Sequence, residues 1–120
     1  DSSKDIAGLN VVGLARVDLA SGTATLSSNA ATITTWSSVI TTESLSTAHT
    51  ASQALAITKT GVAAGDIAVV NIVGGTNTGG IPLVKAVCTT DTVTITIANM
   101  AKATDAFNGT FILNLIIFKA

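Results

Sequence analysis

His49 is the single imidazole of this 120-residue chain, and it sits in the run Ser46-Thr47-Ala48-His49-Thr50-Ala51-Ser52-Gln53. Together with Ser46 or Ser52 and a distant aspartate it supplies the residue types of a nucleophilic triad. The local pattern does not support one. No G-x-S-x-G elbow occurs, and a histidine among small polar residues reads as a solvated loop residue. The carboxylates are Asp1, Asp5, Asp18, Glu43, Asp66, Asp91 and Asp105. Two of them facing each other across a cleft would suit glycoside hydrolysis. However, Asp66 and Asp91 each lead an apolar run, the place where aspartate stabilises turns. No D-x-[DN]-x-[DN]-G calcium loop is present. Cys88 is alone, so no intrachain disulfide forms, and its setting Ala86-Val87-Cys88-Thr89 reads as an unreactive position in a strand. Gly74 to Gly80 (GGTNTGG) lacks the Lys-Ser/Thr pair of a phosphate loop and reads as a mobile hairpin connection. Asn108-Gly109-Thr110 has sequon spacing, but the stronger reading is a turn, for which Asn-Gly is a signal. No catalytic residue, metal ligand or cofactor site is expected.

The elements that would position these residues are strands. In Asp91-Thr92-Val93-Thr94-Ile95-Thr96-Ile97-Ala98-Asn99, threonines occupy one parity and Val93, Ile95 and Ile97 the other. A period of two with one wet and one greasy side is the mark of a half-buried strand, and these β-branched types suit it. Further strands are expected over 9–19, 23–27, 33–45 (with Trp36 near its start), 54–60 (Leu55 and Ile57 inward), 67–73, 81–89 and 110–119. Turns are expected at 20–22 and 29–31, and one helical turn over Met100 to Thr104. Pro82 marks an edge or a strand end. Short strands separated by Gly, Asn, Ser and Asp clusters predict an all-β fold, an antiparallel β-sandwich or jelly roll of about eight strands. Residues 1–8 read as a loose arm and 9–120 as one domain, which at this length buries a core without disulfides or metal.

Charge is sparse. Six basic and seven acidic residues give a net charge of −1, with no run of either sign. Nucleic-acid binding, which requires clustered Lys/Arg, is not expected. The longest apolar stretch, Phe111 to Phe118, is interrupted by Asn114 and is far shorter than the ~20 residues of a membrane helix, so no membrane association is expected. No signal peptide is legible, the chain opens at Asp1, and the lone cysteine fits assembly in a cytoplasm. Apolar residues make up 48% of a chain with little charge, which points to apolar surface covered by copies of itself or another protein. The runs 67–73 and 111–118 are apolar on both parities, as strands buried on both faces are. The candidate interface residues are Trp36, Val70, Ile72, Ile112, Ile116 and Phe118. Trp36 enters because tryptophan is enriched at binding hot spots, although core placement is the stronger reading of it.

Several short motifs carry a resemblance. They are Ser21-Gly22-Thr23-Ala24-Thr25-Leu26, Gly65-Asp66 before an apolar strand, Ala86-Val87, the Asp91 to Asn99 run, Asp105, and Gly109-Thr110 before a terminal apolar strand. In this order they resemble small structural proteins of tailed bacteriophages, of the head decoration, cement or fibre-tip type. The chain departs from that pattern at GGTNTGG, where similar proteins often carry a proline-containing segment. The resemblance implies a β-sandwich, commonly a homotrimer, on the capsid surface of a virion assembled in the host cytoplasm. The major capsid protein would be the partner, and no catalytic residue carries over. A receptor-binding tip or tail-fibre domain is the alternative. Its discriminator is an exposed aromatic or polar patch, for which one Trp and no Tyr are a poor stock. A surface-layer or pilus-like subunit and an enzyme follow as weaker readings.

Overall fold

Eight strands account for the regular structure of the computed structural model, which describes residues 21–120. They are β1 (Ser21–Thr25), β2 (Ala30–Thr32), β3 (Ser37–Thr41), β4 (Ser52–Thr58), β5 (Ile67–Gly74), β6 (Pro82–Thr89), β7 (Thr92–Asn99) and β8 (Ile112–Phe118). They form two four-stranded sheets. Sheet A has the order β1-β3-β8-β5 and sheet B the order β2-β4-β7-β6. The fold is all-β and sandwich-like, with one buried cluster fed by both sheets. The expected arm (1–8) and the strand over 9–19 lie outside the described residues.

The sheets are mixed, not purely antiparallel as expected. β1 pairs with β3 in parallel, and β2 pairs with β4 in parallel. The reason is that the first four strands alternate between sheets, so each same-sheet pair is joined through a strand of the other sheet. A crossover of that kind returns the chain in its original direction, which no tight hairpin can do. The remaining pairs are antiparallel.

Alternation set the core as anticipated in β4 and β7, and residues of β3 and β8 join it. Leu55 and Ile57 of β4, Val93, Ile95 and Ile97 of β7, Ile40 of β3, and Leu113, Leu115 and Ile117 of β8 are all buried. Each fully buried Leu or Ile contributes about 1.5–3 kcal/mol. β7 lies between β4 and β6 in sheet B, and β8 lies between β3 and β5 in sheet A, so the two central strands supply the deepest side chains. Phe107 and Phe111 close one end with an edge-to-face contact at 5.0 Å.

The connections differ most from expectation. The turn expected at 29–31 is at Ser28 and Asn29, which take positive φ, and Ala30 already begins β2. Ser21 and Gly22, expected in a turn, belong to β1. β3 is short, and Trp36 precedes it. Met100 to Thr104 forms no helical turn. The segment is instead gathered around Asn99, which is fully buried. The Asn99 Oδ1 accepts from the N–H groups of Ile81 and Ala101, both at 3.1 Å. Its Nδ2 donates to the carbonyls of Thr47 (3.1 Å) and Asp105 (2.8 Å). One amide thus organises three loops.

The GGTNTGG segment is not a loose hairpin tip. Thr76 and Thr110 bond reciprocally through backbone and hydroxyl, and the Asn108 Oδ1 accepts from the N–H groups of Thr78 (2.8 Å) and Gly79 (3.2 Å). The Asn77 Oδ1 accepts from the Asn108 N–H at 2.8 Å. Its glycines serve close approach: a Cβ on Gly75 would collide with the Thr110 carbonyl, and one on Gly79 with the Ala106 carbonyl.

Candidate interaction surface

The residues with chemical potential are dispersed. His49 is half-buried, not solvated as expected, and its Nδ1 is shut away from water with no hydrogen-bond partner among the described residues. Asp91 accepts the Gly61 N–H at 2.9 Å and Glu43 accepts the Asn29 N–H at 2.6 Å. Both carboxylates hold loops. Burial pushes the Cys88 thiol up, which disfavours the reactive thiolate. No group of three His, Cys, Asp or Glu side chains stands close enough to hold a metal ion among the described residues.

Trp36 packs beneath two cations at one end of the sandwich. The Lys59 Nζ lies 3.8 Å from the ring centroid and the Lys119 Nζ 5.9 Å from it. Both distances suit cation–π attraction. Lys59 is itself buried and donates to the Thr60 carbonyl at 2.7 Å. Lys119 donates to the Gly61 carbonyl (2.8 Å) and to Asp66 Oδ2 (2.7 Å). The Asp66 side chain is only 3% exposed. The N–H of Ala120, then Lys119 and the N–H of Ala63, hold its carboxyl down at about 2 against the ordinary 3.8. A depressed folded pKa means that this clasp contributes fully above about pH 4 and is lost as pH falls through about 2. Asp66→Asn is therefore expected to lower Tm at pH 6 and to flatten the decline of Tm between pH 4 and 2. Scanning calorimetry across that range checks it.

The larger feature is the outer face of sheet A. Register places its side chains in cross-strand rows. Ser21, Ser37, Ile116 and Val69 form one row, Thr23, Val39, Asn114 and Asn71 the next, and Phe118 and Ile67 close the end. The face is split. Its β1–β3 half carries mostly hydroxyls, and its β8–β5 half carries Ile112, Ile116, Phe118, Ile67 and Val69 around the two asparagines. Ile67, Val69 and Phe118 are at least half exposed. Burying such a patch against another surface is favourable.

Of the residues predicted from sequence, the structure brings Ile112, Ile116 and Phe118 together on this face. Val70 and Ile72 are not on it. They point inward from β5 and pack on the core, yet remain only partly buried because β5 is an edge strand. Trp36 likewise packs on the core from its end. Ile67, Val69 and Val73 are also exposed on β5, though they are not among the residues singled out from sequence. Both parities of this run are apolar, so only the pairing with β8 decides which faces outward. On the same flank β6 presents Leu83 and Val87, both more than half exposed. The flank shared by β5 and β6 is therefore apolar in both sheets, whereas β1 and β2 opposite are made of Ser, Gly, Thr and Ala.

No helix among the described residues is long and apolar enough to cross a membrane. Comparison of the chain with protein-family models, with curated proteins and with solved structures found no match.

Proposed function

We propose that this chain is a non-enzymatic structural protein of a virion, a capsid decoration (cement) protein that binds the assembled shell as a homotrimer and stabilises it. The observation that carries this reading is the exposed apolar half of sheet A, Ile67, Val69, Ile112, Ile116 and Phe118, free of charged side chains within the two strands that bear it. A cement protein adds contact area across shell junctions, and such a face supplies that area by burial. The clasps at both ends suit a part that stabilises a shell: the Asp66–Lys119–Trp36 cluster and the Asn99 hub tie loops to sheets. The facing four-stranded sheets match a jelly roll in strand number, while the parallel pairs β1–β3 and β2–β4 depart from its antiparallel pattern. Among the described residues Phe118 is the one strongly exposed aromatic, which weighs against the fibre-tip alternative.

Copy number in purified particles, measured by quantitative mass spectrometry against the major shell protein, tests the reading. Hundreds of copies in fixed proportion to the shell are the expected result. A handful would assign the chain to a tail or fibre, and absence would overturn the virion reading.

A further inference from the structure

Sheet A ends at β5 and sheet B ends at β6, on the same flank. Natural edge strands carry devices that block further pairing: proline, charge, bulges or short length. β6 has two of them, Pro82 at its start and exposed Lys85. β5 is eight residues long with neither proline nor charge, and its bulge is confined to its last residues, between Ile72 and Gly74. Its backbone pairs with β8 on one side. Among the described residues no other hydrogen bond reaches 67–74, so within them the opposite row of N–H and C=O groups is open. An unblocked apolar edge is a template for another strand.

We propose that β5 pairs antiparallel with β5 of a second copy, about a twofold axis through Asn71, and extends sheet A into a continuous eight-stranded sheet. The strand's own chemistry selects a second copy as the occupant. With no charge between Ile67 and Gly74, the strand meets itself without like-charge repulsion, and nearby Asp66 is neutralised by Lys119. The period of two fixes the face, because a twofold axis normal to the sheet joins outer face to outer face. The asparagines fix the register. With Asn71 opposite its own copy, the two side-chain amides meet and the Asn114–Asn71 row continues across the junction. Val69 then faces Val73 of the second copy, and on the inner face Val70 faces Ile72 of the second copy. The partly buried inner residues of β5 become covered. The neighbouring register of the same parity sets Asn71 against valine and loses the amide pair. This contact uses an edge, so it is separate from whatever holds three copies together, and it would link one such assembly to the next.

The test uses the isolated full chain. Asn71→Cys places the two sulfurs across a direct strand pair, within reach of a disulfide. Asn114→Cys, one strand further from the axis, leaves its sulfurs about 14 Å apart, three strand spacings, which is too far. Cys88 is buried and serves as the common background. Under mild oxidation the Asn71→Cys protein is expected to run as a cross-linked dimer on a non-reducing gel, and Asn114→Cys is not. Val69→Lys is expected to lower the mass read by light scattering, and Val87→Lys on β6 is not. A monomeric parent protein, no cross-link at position 71, or equal cross-linking at 71 and 114 would overturn the proposal. These readings require no shell, so their failure is distinguishable from failure of the decoration role.

Discussion

Asn99→Leu is expected to destabilise the domain by about 4 kcal/mol, enough to bring a protein of ordinary stability close to unfolding. Leucine keeps the branched shape and removes the chemistry. It orphans the N–H groups of Ile81 and Ala101 and the carbonyl of Asp105, while the Thr47 carbonyl keeps the Phe107 N–H. Each buried group left without a partner costs about 1–3 kcal/mol, and partial rehydration recovers some of the sum. Urea denaturation reads the result as a loss of about 2 M in midpoint at an unchanged slope. Asn99→Asp sharpens the test. It keeps the two N–H donors satisfied but turns an acceptor toward the Thr47 and Asp105 carbonyls. The Asp variant is therefore expected to gain stability relative to the parent as pH falls and its carboxyl protonates. A loss below 1 kcal/mol in the leucine variant would mean that the three loops hold without the hub.

The second expectation is a contrast between neighbours on β7. Ile95 is fully buried between Leu55 of β4 and Ala86 of β6, while Thr94 lies half-buried on the outer face. Ile95→Asp buries an unpaired charge among aliphatic side chains, which costs about 3–5 kcal/mol or forces the carboxyl to stay protonated. The variant is expected to be unfolded at neutral pH by far-ultraviolet circular dichroism. Thr94→Asp is expected to remain folded, within about 1 kcal/mol of the parent. Equal damage at both positions would show that the outer face of sheet B is covered in solution.

The strands that were legible in the sequence were those where one parity is apolar and the other is not. β4 and β7 have that pattern, and their inward residues were readable from it, although β4 runs over Ser52–Thr58, two residues earlier than the expected 54–60. β5, β6 and β8 were readable as strands, but apolar residues on both parities left their orientation open until pairing fixed it. That is why Ile112, Ile116 and Phe118 lie together on the outer face while Val70 and Ile72 point inward. β2 was invisible: three residues of Ala and Thr carry no period, and the strand exists because β4 offers it an edge. The parallel pairs were beyond reach for the same reason, since they follow from the alternation of strands between sheets and not from any local pattern. The glycine loop misled because glycine has two uses. Composition suggested freedom, and the structure uses it for proximity to the 105–110 backbone.

The order β1-β3-β8-β5 has a consequence for how the molecule is made. β8, which joins β3 to β5, is the last of the eight strands to leave the ribosome. Until it arrives, sheet A exists as a two-stranded piece and an isolated β5, with the edges of β3 and β5 that β8 will pair both bare. Sheet B, by contrast, has all its strands once β7 is complete, and β6 and β7 meet through a turn at Thr90-Asp91. Synthesis therefore builds a half-sandwich first and leaves its inner face waiting for the C-terminal strand. Such late, long-range closure is slow, and it exposes the apolar edge of β5 to other chains during that wait. In a polysome, where identical nascent chains lie side by side, the nearest of those is another copy of itself.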